Sequence, residues 1–385
     1  MPDTAPAADI TEPKPIGMVD LVAQRARIGA RIEAAIGRVL RHGAFINGPE
    51  VADLEQRLAA AAGVEHVVTC GSGTEALVMG LMALDIGPGD AVIVPSFTFT
   101  ATAEAAVLAG ATPVFADVDR ATYIMTPPSL AAGIAAARAA GLKPKAAIPV
   151  DLFGQPADYG ALGHVAAKAG LVLFADAAQS FGASLGNARV GALAPITATS
   201  FYPSKPFGGY GDGGAVFTGD GELAARLRQI RTHGQRHHRD DVVRIGMTAR
   251  LDTIQAAVLI EKLAILDDEI RRRQAAAERY TTLLAGRVTT PTVPAGATSV
   301  WAQYTVTSPE RDRIVAGLKA DHIATSLFYP VPVHRQGPYR NCPVAEGGLP
   351  VTLSLANEVV SLPMHAHLDP EDQARVASAV ARALA

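Results

Sequence analysis

Residues 66–118 read HVVTCGSGTEALVMGLMALDIGPGDAVIVPSFTFTATAEAAVLAGATPVFADV. Three short apolar runs, HVVTC (66–70), AVIVP (91–95) and PVFADV (113–118), are separated by stretches of helical character beginning near Thr74 and Thr100. Apolar strands without polar alternation belong in a sheet buried on both faces, and helices between them make it mostly parallel. The alternation continues downstream with a helix over 127–140, KAAIPVDL (145–152), a helix over 158–169 and LVLFADAA (171–178). Upstream, residues 19–41 carry apolar side chains at helical spacing and predict an amphipathic helix, followed by another over 49–62. Residues 253–284 contain neither Gly nor Pro and predict one long helix able to bridge two domains. Pro-rich turns, a strand around Ala302–Val306 and helices near 309–321 and 370–384 follow. The expected class is α/β: an N-terminal tail (1–17), a large domain (18–270) with a mostly parallel sheet flanked by helices, and a smaller α+β C-terminal domain (271–385).

Composition narrows the function. At 385 residues the chain exceeds one compact core, and 49% hydrophobic against 18% charged residues excludes a disordered chain. A formal net charge of −3 without a dominant basic tract gives no support to a nucleic-acid partner. Cys70 and Cys342 form no CxxC pair, which fits a reducing cytoplasm and offers neither a disulfide framework nor a zinc site; no metal site is expected. Met1–Pro15 lacks a basic region followed by an apolar one, and the apolar runs are strand-sized, so a cytoplasmic protein without a membrane partner is expected.

Three segments converge on the carboxyl edge of such a sheet, where open α/β folds bind ligands. Gly71-Ser72-Gly73-Thr74 joins a strand to a helix, and the free N–H groups of that helix start suit a phosphate. The same glycines also serve a plain chain turn, and no GKS or GKT follows, so this is no Walker loop. Asp176 ends an apolar strand, where a buried carboxylate calls for a positive partner such as a protonated pyridine nitrogen; a helix cap is the other reading. Lys205 stands in SFYPSKPFGGYGDGG (200–214) among aromatic residues and glycines. A lysine shielded from water loses proton affinity and becomes an amine able to form an imine with an aldehyde, whereas a lysine on a surface loop stays solvated.

In FINGPEV (45–51), GSGTEAL (71–77), PSFTFTATAEA (95–105), DLFGQPADY (151–159), ADAAQSFGA (175–183), SFYPSKPFGGYGDGGA (200–215), RLDTIQAA (250–257) and YPVPVHRQ (329–336), the chain resembles the DegT/DnrJ/EryC1/StrS family of sugar aminotransferases from about Met18 onward. The resemblance implies a fold-type I pyridoxal 5'-phosphate (PLP) enzyme. In it Lys205 matches the catalytic lysine that holds the cofactor as a Schiff base and moves protons. Asp176 matches the partner of the pyridine nitrogen, Gln179 the amide beside the ring and Phe99 the aromatic stacked on it. Gly73, Thr74 and Ser200 match phosphate contacts. Thr248 stands where many relatives carry an Asn that reaches the neighbouring subunit's cofactor, so that cross-subunit contact is in question while a homodimer with shared active sites is implied. The basic loop 233–239, with Arg236, resembles one that reaches a partner's substrate; a solvated loop is its other reading, as a satisfied loop histidine is for His334. Trp301 is expected in the small-domain core.

The implied activity is transfer of an amino group from L-glutamate, which leaves as 2-oxoglutarate, to a keto group on a nucleotide-linked sugar. The motifs look closest to enzymes acting on UDP-3-keto sugars such as a 3-oxo-glucuronate derivative, with C4 amination of a dTDP- or UDP-4-keto-6-deoxy sugar as the alternative. Related sugar dehydratases replace the lysine with histidine, which Lys205 opposes. The Asp176, Gln179 and Lys205 set opposes a non-catalytic regulator. A desulfurase needs an activated cysteine, and Cys342 has no evident activating neighbour.

Overall fold

The computed structural model describes residues 14–385; positions 1–13 of the expected tail lie outside it. Seven strands form the central sheet: β1 (His66–Cys70), β2 (Asp90–Pro95), β3 (Thr112–Ala116), β4 (Lys143–Ala147), β5 (Val172–Asp176), β6 (Ile196–Ser200) and β7 (Gly214–Thr218), in the order β1-β7-β6-β5-β4-β2-β3. β2, β3, β4, β5 and β6 pair in parallel, and β7 runs antiparallel to both β1 and β6. Helices α3 (Gly73–Ala83), α4 (Ala101–Leu108), α5 (Pro127–Ala139), α6 (Tyr159–Ala169) and α7 (Gly221–Arg231) cover the sheet. Their apolar faces and the strands form two large buried clusters, one with Val92, Val94, Phe115 and Phe174, the other with Ile93, Leu130, Leu162 and Leu173. A sheet walled on both faces leaves its edges open for a site.

Helix α1 (Leu21–His42) turns Ile28, Ile32, Ala35 and Val39 inward, against Val258 and Ala257 of α8 (Thr253–Leu263). α2 is Pro49–Ala62. The single helix expected over 253–284 is two: α8 stops at Leu263 and α9 runs from Leu266 to Leu284. No glycine or proline marks the break because packing makes it. Ile265 stays with Ile28, Ile32 and Val258, while Leu266 and Ile270 turn into a cluster with Phe181 and Val300. Farther along α9, Ala276, Ala277, Tyr280 and Leu284 enter a C-terminal core with β8 (Tyr304–Thr307), β9 (Val359–Leu362), α10 (Arg311–Ala320) and α12 (Pro370–Leu384). Trp301 lies in that core, as expected. Ile16 packs there as well, and Val333, Tyr339, Ala345 and Leu349, just before α11 (Pro350–Glu358), pack with the central sheet. Among the described residues no helix is long and apolar enough to cross a membrane.

Candidate active site

The ends of β5 and β6, the start of α3 and the loop after β2 open on one cavity of about 830 Å³. Gly73, Thr74, Phe99, Asp176, Gln179, Ser200 and Lys205, seven positions singled out in the sequence, all line it.

The cradle comes first. The Ser72 hydroxyl accepts from the Glu75 N–H at 3.1 Å and caps α3, leaving the N–H groups of Gly73 and Thr74 at the cavity wall. A Cβ on Gly73 would stand 2.7 Å from Cβ of Ser200, so only glycine lets β6 bring its serine this close to the helix start.

Asp176 is 5% exposed. Its Oδ2 accepts from the Thr102 hydroxyl at 2.7 Å and its Oδ1 from the Ala178 N–H at 3.2 Å. Burial raises its pKa, and the two donors and the Lys205 charge oppose that shift. No helix follows it: residues 178–182 form turns, so the helix-cap reading falls away. Gln179 is fixed at both ends, its Oε1 accepting from the Phe153 N–H at 2.7 Å and its Nε2 donating to Tyr329 Oη at 3.3 Å. Phe99 keeps 57% of its surface exposed and lies 6.3 Å from the Tyr329 ring, a free aromatic face that suits a flat ligand.

Lys205 is partly buried at the cavity wall rather than solvated on the surface. Burial lowers its proton affinity, and Asp176 opposes that. Its loop is anchored from below. The almost fully buried Lys262 of α8 donates from Nζ to the Gly208 carbonyl at 2.5 Å and sits 5.0 Å over the Tyr210 ring. Burial lowers the Lys262 pKa to about 8 against the pull of Glu269.

Thr248, Arg236 and His334 stand outside the cavity lining. The Thr248 hydroxyl lies 2.6 Å from His233 Nε2, and Arg236 pairs with Asp241 at 3.1 Å on an exposed loop. Within one chain His334 meets Ser96 instead of a ligand site: its Nδ1 lies 2.7 Å from the Ser96 hydroxyl, and burial first, then Arg335, lowers its pKa. Burial raises the pKa of the Cys342 thiol, so it is not activated. Thr102, Tyr329 and Asp151 were not singled out from the sequence. All three stand inside quoted motifs, but nothing in spacing reveals that Thr102 meets Asp176, Tyr329 meets Gln179 and Asp151 meets Ser180.

The donor set fits PLP. The cradle of Gly73, Thr74 and Ser200 suits a phosphate, the buried Asp176 an aromatic N–H⁺, the free face of Phe99 a flat ring, and Lys205 an aldehyde.

The model of the DegT/DnrJ/EryC1/StrS aminotransferase family matches residues 26–381. Over 357 residues the chain is 46% identical to UDP-2-acetamido-2-deoxy-3-oxo-D-glucuronate aminotransferase of Pseudomonas aeruginosa, covering 92% of this chain and 96% of that protein. It is 42% identical to UDP-N-acetyl-3-dehydro-alpha-D-glucosamine 3-aminotransferase of Acidithiobacillus ferrooxidans, covering 97% and 100%. The crystal structure of a DegT/DnrJ/EryC1/StrS aminotransferase from Brucella abortus superposes with a TM-score of 0.94 at 50% identity, over 96% of this chain and 99% of that one.

Proposed function

The chain belongs to the DegT/DnrJ/EryC1/StrS aminotransferase family, and from that premise we propose that it moves the amino group of L-glutamate to the C3 keto group of a UDP-linked sugar. It is a nucleotide-sugar aminotransferase whose cofactor is PLP. The convergence of Lys205 and Asp176 on one cavity carries the chemistry. The C3 position rests on two relatives, 46% and 42% identical, that both act on 3-oxo or 3-dehydro sugars.

Bound PLP supplies an electron sink and the carbon that carries nitrogen between donor and acceptor. Gly73, Thr74 and Ser200 would hold its phosphate, Asp176 would keep the proton on its ring nitrogen, and Phe99 would cover one ring face. Lys205, its proton affinity lowered by burial, would be the base that takes the proton from Cα of the amino donor and the acid that then returns a proton. With the keto sugar the same amine would place a proton on the sugar carbon that receives nitrogen.

The cavity has one lining cation, Lys205, against Asp176 and Asp212 among the described residues. Glutamate carboxylates and a nucleotide diphosphate need more positive charge than that. A homodimer supplies it if the basic 233–239 loop of one copy reaches the other's cavity. The exposed Val242, Val243 and Ile245 beside that loop are the kind of apolar surface such a contact covers. Arg236 makes a two-contact pair with Asp241, at 3.1 and 3.3 Å, which it would exchange for a partner's substrate. The test is incubation of the holoenzyme and L-glutamate with a UDP-3-keto sugar generated in place, followed by NMR of the product. Nitrogen on C3 is expected; conversion of only a 4-keto-6-deoxy sugar would reject the C3 reading.

A further inference from the structure

Asp151 follows β4 and is fully buried. Its Oδ1 accepts from the Ala157 N–H at 2.8 Å and the Tyr159 hydroxyl at 2.7 Å, and its Oδ2 from the Ser180 hydroxyl at 2.8 Å. Its backbone N–H donates to the Asp176 carbonyl at 3.0 Å, and the N–H of Phe153, two residues on, holds Gln179. One short segment therefore grips the 176–180 turn at Asp176, Gln179 and Ser180. The groups that bear on the Asp151 carboxylate are Tyr159, Ala157, Ser180 and Asp176, with no cation among them. A buried carboxylate without a cation is costly. Asparagine could satisfy the same neighbours, with its oxygen accepting from Ala157 and Tyr159 and its amide donating to Ser180. What an asparagine lacks is the charge.

We propose that Asp151 is a positioning residue that clamps the 176–180 turn and sets a second negative charge behind Asp176, so that the cofactor's ring nitrogen keeps its proton. This rests on the reading that Asp176 faces that nitrogen. Burial first raises the Asp151 pKa to about 7; its three donors oppose this and Asp176 adds to it. A cation at the ring favours the charged forms of both carboxylates.

The test is the pH midpoint of ring-nitrogen protonation, read by 15N NMR of the enzyme loaded with ring-15N-labelled PLP. Asp151→Asn removes a negative charge near a cationic ligand, so the midpoint falls, by about one unit for charges several ångströms apart. Ser180→Ala removes one of the three donors and leaves two, so it lowers the midpoint less than Asp151→Asn does. An Asp151→Asn protein that folds and loads PLP with an unchanged midpoint overturns the proposal and leaves Asp151 a brace. If Asp151→Asn does not fold, Tyr159→Phe with Ser180→Ala decides. Losing both donors raises the Asp151 pKa and neutralises it near pH 7, so the midpoint must again fall, and an unchanged value overturns the proposal. A wild-type protein without a PLP band sensitive to Lys205→Ala rejects the reading of Asp176 itself, and this inference with it.

Discussion

Two buried charged side chains meet the candidate lysine or its loop: Asp176 acts on Lys205 itself, and Lys262 holds the loop at Gly208. Lys205 and Asp176 were legible because a lysine among glycines and an aspartate ending an apolar strand are unusual in sequence. Lys262 was not, since on paper it is one more polar residue in a helix. Only the fold shows it under the Lys205 loop, bonded to Gly208 and 3% exposed. Its folded pKa of about 8 lies below the ordinary lysine value, so the unfolded chain binds the extra proton between those values. Stability therefore rises with pH from about 8 toward 10.5, by at most about 3 kcal/mol. Lys262→Met removes this gain. Denaturant melts at pH 7.5 and 10 are expected to show the wild type gaining on the variant as pH rises, whereas parallel stabilities at both pH values would contradict the burial reading.

At the scale of elements, the strand–helix alternation was read correctly because period and composition carry it, and the C-terminal helix starts and stops at the expected 370–384. The 253–284 segment is two helices and not the expected one, because its break comes from tertiary packing of Ile265 and Leu266, which leaves no glycine or proline behind. The β4 strand runs over 143–147 instead of 145–152, its end set by pairing with β2 and β5. The α3 start is the element on which the cradle depends. Gly73→Ala places a methyl 2.7 Å from Ser200 Cβ, and overpacking of that kind costs roughly 1–3 kcal/mol. PLP affinity is expected to fall about tenfold or more, against no change for Gly219→Ala, where a Cβ meets nothing within 4 Å. Equal affinities for the two variants in a PLP titration would remove the cradle from the account.

For the whole molecule, the question is which cations meet the substrate. The sequence pointed to Arg236, Thr248 and His334 by resemblance, and no spacing argument could place loops that meet across two chains. Within one chain none of them lines the cavity. If the 233–239 loop serves a partner's site, Lys205→Ala and Arg236→Ala chains complement each other. Mixed one to one, half the dimers are hybrids with one intact site, so activity recovers to about a quarter of wild type. Recovery to no more than the Arg236→Ala level would confine the site to one chain.

The most direct test of the central claim is the absorption spectrum of the purified protein with PLP, before and after L-glutamate, with 2-oxoglutarate assayed. A visible Schiff-base band present in wild type and absent in Lys205→Ala, lost on adding glutamate with one 2-oxoglutarate released per site, is the predicted result. A wild-type spectrum indistinguishable from that of Lys205→Ala would contradict it.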